Sequence, residues 1–262
     1  MTNAWLLLDV GNTQTVAGIY AAPISNSEPP EAYCRVRFRT DARATADEYR
    51  AKIRSLISLE TSDYRVSRVI VSSVVPALDS TLEEALSPLP CLFVSAEKKR
   101  DFELKLPSPH QLGADRLANI AGAMTLAQPP FLIVDAGTAT TFCLVNKDAH
   151  YIGGSITPGL EIGWNALQAQ AAKLFAVELD HPESAIGNTT ETQLRSGVLL
   201  GYESLIEGLT DRLIAEAGSE FRNARFFATG GCVNHLKLSQ RFEIETDLTL
   251  KGLLSYGEKN DS

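Results

Sequence analysis

Neither a Cys-x-x-Cys pair nor a histidine at zinc-ligand spacing occurs in this sequence of 262 residues. The four cysteines, Cys34, Cys91, Cys143 and Cys232, lie more than fifty residues apart, which excludes a zinc ribbon or a small disulfide scaffold and predicts free thiols in a reducing compartment. Histidine is equally scarce: His110, His150, His181 and His235 have no Ser or Cys motif beside them that suggests a triad. No apolar run approaches the eighteen or so residues of a membrane span. Trp5, Leu6, Leu7 and Leu8 follow no Lys or Arg and run straight into Asp9, so no signal peptide is expected. These absences predict a cytoplasmic protein without a membrane partner.

Positive charge is also short. The chain carries 24 Lys and Arg against 32 Asp and Glu, a formal net charge of −8, and its one dense basic run is Lys98, Lys99 and Arg100. A strip that short cannot track a nucleic-acid backbone and reads as a solvated turn, so no nucleic-acid partner is expected. Two common nucleotide signatures are missing: G-x-x-x-x-G-K-[ST], and G-x-G-x-x-G after a strand. A P-loop enzyme and a Rossmann dehydrogenase are therefore disfavoured.

What is present is a repeated phrase. Leu6-Leu7-Leu8-Asp9-Val10-Gly11-Asn12-Thr13 and Leu132-Ile133-Val134-Asp135-Ala136-Gly137-Thr138-Ala139 each close a buried apolar run with Asp and place Gly two residues later. A second β-rich stretch resumes after each, over 15–20 and 140–145. Length alone predicts about 1.7 domains. Two copies of strand, tight turn, strand, half a chain apart, turn that fraction into an internal duplication with halves 1–128 and 129–262.

Between the copies the apolar spacing predicts a helix over 47–59, with Tyr49, Ile53, Leu56 and Ile57 on one face, and a buried strand over 68–75 ended by Pro76. A helix over 80–86, a strand over 91–94 and a proline-bearing loop over 106–111 follow. This alternation implies parallel β-α-β units. An amphipathic helix over 115–127 places Asp115 and Arg116 in its first turn, and Gln128-Pro129-Pro130 ends it. The second half adds a glycine-rich segment over 153–159, a helix through residue 172, a long helix from near Thr189 past Ile214, and a strand over 225–228 running into Thr229-Gly230-Gly231. Gly197 and Gly201 allow a close backbone approach, either across a dimer or inside one chain.

An Asp at a strand end followed by Gly and Asn or Thr offers backbone N–H groups to an anion and a carboxylate to a hydrated divalent cation. One such turn reads more simply as structural; two copies favour a phosphate grip. Duplicated Asp/Gly turns with a late Thr-Gly-Gly resemble the actin, sugar-kinase and heat-shock chaperone superfamily. That resemblance implies an α/β fold of two ribonuclease H-like (actin-like ATPase) domains with mixed central sheets and an ATP cleft between them.

Within that superfamily the ordered set Asp9-Val10-Gly11-Asn12-Thr13, Gly113-Ala114-Asp115-Arg116, Asp135-Ala136-Gly137-Thr138-Ala139-Thr140-Thr141 and Gly153-Gly154-Ser155-Ile156-Thr157-Pro158-Gly159 resembles type III pantothenate kinase. The resemblance runs from Leu6 to about Leu254. It implies ATP-dependent phosphorylation of pantothenate, the first step of coenzyme A synthesis, by a homodimer using Mg²⁺ and a monovalent cation, K⁺ or NH₄⁺. Carried over, the ATP phosphate loop falls on Asp9, Val10, Gly11, Asn12, Thr13, Gln14, Thr15 and Val16, with Thr138 as a further nucleotide contact. Pantothenate falls on Gly113, Ala114, Asp115, Arg116 and Thr190, the proton acceptor on Asp115, and the monovalent-cation ligand on Asp135. Seven residues before Gly113 the family commonly has a tyrosine; Leu106 stands there and offers packing without a hydrogen bond.

Residue chemistry is compatible with those roles. Phosphoryl transfer asks mainly for positioning and charge neutralisation. Asp115 at a helix start is expected to stay ionised; by type and position alone it reads as a capping residue. Arg116 offers a planar fork suited to a carboxylate or to a surface ion pair. Thr190 sits where a threonine also caps a helix, and Asp135 where one also shapes a turn. The alternatives to the kinase are an accessory or regulatory ATP-binding protein of this fold, and a different phosphotransferase or polyphosphatase.

Overall fold

The computed structural model describes residues 2–22, 32–58, 64–170 and 178–261. Parts of two predicted helices, Leu59 with the side chains of Leu56 and Ile57, and residues 171 and 172, lie outside the described residues. The chain divides into two compact units, 1–126 together with 247–262, and 127–246.

In the first unit, β1 (Thr2–Val10), β2 (Gln14–Ala21) and β3 (Ala32–Arg39) form an antiparallel meander. Then β4 (Tyr64–Ser73) pairs parallel with β1, and β5 (Cys91–Phe93) parallel with β4, giving the order β3-β2-β1-β4-β5. A short β6 (Glu103–Leu104) follows. One sheet face, with Leu6, Leu8, Val10, Ala17 and Ile19, packs with α1 (Ala46–Ser58) and α2 (Pro76–Leu86) through Tyr49, Ile53, Leu78 and Leu82. Pro76 both follows the strand and opens α2, where its missing N–H costs nothing.

In the second unit, β7 (Phe131–Ala136), β8 (Ala139–Val145) and β9 (His150–Pro158) form another antiparallel meander. Parallel to β7 runs β10 (Arg225–Thr229), and parallel to β10 runs β11 (Phe242–Ile244), so these strands lie in the order β9-β8-β7-β10-β11. The strand sequence and senses repeat those of the first unit, the structural counterpart of the repeated Asp-x-Gly phrase. The turns differ: four residues separate the paired Val10 and Thr15, three the paired Ala136 and Thr140.

Helix α3 (Ala114–Leu126) belongs to the first unit, and α4 (Leu160–Gln170) to the second. The predicted long helix is α5 (Thr190–Arg195) and α6 (Gly201–Ala217), joined through a π turn at Ser196–Leu200. The glycine-rich segment over 153–159 is largely strand β9. Its Gly154 lies so close to the Phe142 carbonyl that a Cβ would overlap it.

One organisational expectation is corrected. Residues 247–262, placed in the second half by the sequence division, pack with the first unit as α7 (Leu248–Lys259). The cause lies on α3. Cβ atoms built at Gly122 and Gly252 would overlap the carbonyls of Leu248 and Ala118, so α3 and α7 cross backbone to backbone. Thr249 Oγ1 donates to Asn119 Oδ1 at 2.7 Å across that crossing. No described helix is long and apolar enough to cross a membrane.

Candidate functional site

The first turn is built by the β1–β2 register. Asp9 pairs with Val16 and Val10 with Thr15, and the Gly11 N–H donates to the Gln14 carbonyl at 3.0 Å to close the loop. Asn12, Thr13 and Gln14 are exposed at its tip, with Asp9, Gly11 and Val16 half-buried. Thr15 turns the other way. Its hydroxyl is buried and lies 2.8 Å from that of Thr40, while the Thr40 N–H donates to the Thr13 carbonyl at 3.0 Å. The loop is thus pinned from beneath by the end of β3, while its tip stays exposed.

The second turn is packed by glycines. Gly159 N–H donates to the Thr138 carbonyl at 3.0 Å, and a Cβ at Gly159 would overlap the carbonyls of Gly137 and Thr138. Gly230, with φ +99°, lies where a Cβ would sit 2.5 Å from Asp135 Oδ1 and 2.6 Å from the Ala136 carbonyl carbon. The Cys232 N–H then donates to the Ala136 carbonyl at 3.0 Å. The Asp-x-Gly turn, the end of β9 and the Thr229-Gly230-Gly231 turn, distant in sequence, thus meet around Asp135. Thr138 is exposed there. Gly230→Ala is expected to cost about 1–3 kcal/mol in backbone strain and to push on Asp135. A urea titration reads the first effect and an ATP titration the second.

Tyr202 carries no sequence signal, being one tyrosine in a helix. The fold buries it beneath the second turn, its hydroxyl bonded to that of Thr140. Burial, with the negative charge of Asp135 adding to it, holds its phenol above the usual tyrosine range.

Asp115 is the second residue of α3, inside the first turn and not before it as a cap. Its Oδ1 accepts the Arg116 N–H at 2.7 Å. The helix start does not act alone on it: burial pushes its carboxyl above the ordinary carboxylate range, outweighing the Arg116 N–H bond and the guanidinium. Gly113 makes the room, since a Cβ there would overlap Asp115 Oδ1. Ala114 is buried, while Leu106, Gly113 and Arg116 are half-buried. Thr190 is not the helix cap. Thr189 and Thr192 form the capping box, and Thr190 stays exposed as the first residue of α5.

Among the described residues no three His, Cys, Asp or Glu side chains gather into a group that could hold a metal ion. An ion carried on substrate phosphates asks for few protein ligands, as little as one carboxylate. Asp9 and Asp135, each at a strand end beside a glycine turn, fit that requirement.

The fold is shared widely among solved structures. A conserved Baf family transcriptional activator from Campylobacter jejuni matches over 98% of both chains with a TM-score of 0.60 at 18% identity. MreB5 of Spiroplasma citri, bound to ADP, matches over 99% of this chain and 97% of its own with a TM-score of 0.56 at 12% identity. The activator of the 2-hydroxyisocaproyl-CoA dehydratase from Clostridium difficile, with bound ADPNP, matches over 98% and 96% with a TM-score of 0.53 at 9% identity. At such identities these likenesses show the actin-like ATPase and sugar-kinase fold, with its two mixed sheets. The family model of type III pantothenate kinase matches residues 5–212, which contain both Asp-x-Gly turns, the Gly113 to Arg116 segment and Thr190, so this chain belongs to the type III pantothenate kinase family.

Proposed function

We propose that this protein transfers the γ-phosphoryl group of ATP to the primary hydroxyl of pantothenate, with Asp115 as the proton acceptor. The observation that carries the reading is the Asp115 carboxyl, part-buried in the first turn of α3, pushed above the ordinary carboxylate range and given its space by Gly113. A base that accepts a proton late in a loose phosphoryl transfer needs position first and basicity second. Arg116, next along the helix, suits the carboxylate of pantothenate. Leu106 offers packing to the substrate's methyl groups, and Gly113, Ala114 and Thr190 complete the proposed substrate contacts.

The exposed residues Asn12, Thr13 and Gln14 at the tip of the first turn suit the phosphates of ATP, and Thr138 a second contact. Mg²⁺, when bound, spreads the developing charge over the phosphate oxygens. Asp9 would face that ion, and Asp135 a monovalent cation, K⁺ or NH₄⁺. Asp135→Asn is expected to abolish the difference in rate between K⁺ and tetramethylammonium buffers; an undiminished K⁺ response would reassign that ion.

A homodimer belongs to the same proposal. No described atom outside their own helix lies within 4 Å of a Cβ built at Gly197 or Gly201, so among the described residues nothing packs closely against them. Sedimentation at micromolar concentration reads the state. Four cysteines without a disulfide support a cytoplasmic setting. A coupled assay with pantothenate, ATP, Mg²⁺ and K⁺ tests the activity directly, and absence of turnover overturns it in favour of another acceptor or a regulatory role on this fold.

A further inference from the structure

An arginine ladder runs along the edge of the first sheet. In β3 the side chains alternate: Cys34, Val36 and Phe38 pack on the core, so Arg35, Arg37 and Arg39 stand on the opposite face, all exposed. Leu6, Leu8 and Val10 of β1 share the core face, which puts Asp9 on the arginine face. The register then fixes who stands beside whom. Asp9 pairs with Val16 and Val16 with Arg37, while Gln14, in the first turn, pairs with Arg39. Two strand spacings place the Arg37 backbone about 10 Å from that of Asp9, on one face of one sheet.

The three arginines are not equivalent. Arg35 forms an ion pair with Asp247 at the start of α7. Arg37 and Arg39 form no ion pair with any described residue. Two exposed cations about 7 Å apart on a strand repel each other in an acidic protein, and they sit where the turn needs positive charge. That turn presents a carboxylate, Asp9, to a polyanion, and the chain has no Walker-type lysine to offset it. The end of β3 is bonded to the turn through Thr40, which holds the ladder at a set distance from it.

We infer that Arg37 and Arg39 bind the polyphosphate chain of the nucleotide at the first turn, Arg39 from beside Gln14 and Arg37 from the row of Asp9. The inference rests on the reading of 9–16 as a phosphate loop. Planar guanidinium forks suit phosphate oxygens. Each arginine is expected to be worth about tenfold in nucleotide affinity, as a charge-assisted hydrogen bond is.

The test compares ATP with adenosine by calorimetry in wild type, Arg37→Ala, Arg39→Ala, the double variant and Arg54→Ala, an exposed charge control on α1. The double variant is expected to bind Mg·ATP about a hundredfold more weakly and adenosine within twofold of wild type. Its affinity should also depend less steeply on ionic strength, varied with tetramethylammonium chloride at fixed K⁺. In steady state KM for ATP rises while KM for pantothenate holds. An unchanged ATP affinity, an equal loss for adenosine, or an equal loss in Arg54→Ala overturns the inference. The binding arms need no pantothenate, so a failure of the kinase reading shows separately as absent turnover in wild type.

Discussion

Asp115→Asn is expected to lower kcat by about a hundred- to ten-thousand-fold while making the folded protein more stable at pH 7–8. Both effects come from one property. Burial raises the Asp115 carboxyl in the fold above its value in the unfolded chain. A carboxyl raised in this way favours folding where it is protonated in both states, below its unfolded value near 3.9. That contribution is lost as pH rises through the folded value. At neutral pH the ionised group therefore works against folding, and the neutral amide removes the penalty. Thermal melts of the two proteins should differ in favour of Asp115→Asn at pH 7–8 and converge toward pH 4. The acid limb of kcat/KM should fall above the usual carboxylate range. A variant that keeps its turnover, or that melts lower at every pH, would show Asp115 to be a structural residue.

Gly252→Val carries the second large effect, on stability. A Cβ at this position overlaps the Ala118 carbonyl, and that carbonyl belongs to a helix and cannot rotate aside. Replacing glycine inside a helix ordinarily gains up to about 1 kcal/mol. Here overpacking wins, at the upper end of its usual 1–3 kcal/mol because the neighbour is backbone. For a protein of this size about 3 kcal/mol is worth roughly 6–12 °C in Tm. Gly208→Ala, on the exposed face of α6 with no described atom outside its helix within 4 Å of its Cβ, should move Tm slightly upward. The crossing it contrasts with bears on catalysis, since α3 carries Asp115 at one end and Gly122 further along. Gly252→Val should therefore also lower kcat at temperatures where it remains folded.

Much of the proposed site is visible as local pattern. Asp9 and Asp135 stand out because a buried strand ending in Asp-x-Gly is written twice, and the Gly113 to Arg116 segment because it resembles the family's motif. Local pattern carries less where the neighbour is remote. The alternation of Arg35, Arg37 and Arg39 is legible, but it acquires meaning only from the pairing of Arg37 with Val16 and of Val16 with Asp9. The contact of Gly230 with Asp135 joins residues far apart in the chain.

The sequence by itself determined the duplication, the repeated strand-turn-strand phrase and the resemblance to the family, because each rests on residues adjacent in the chain. Only the tertiary structure decided that residues 247–262 close the first unit, since two glycines far apart must meet before their helices can cross. Only it decided that Asp115 is raised by burial, because the helix start that favours the charged form is read locally while desolvation is set by everything packed around it.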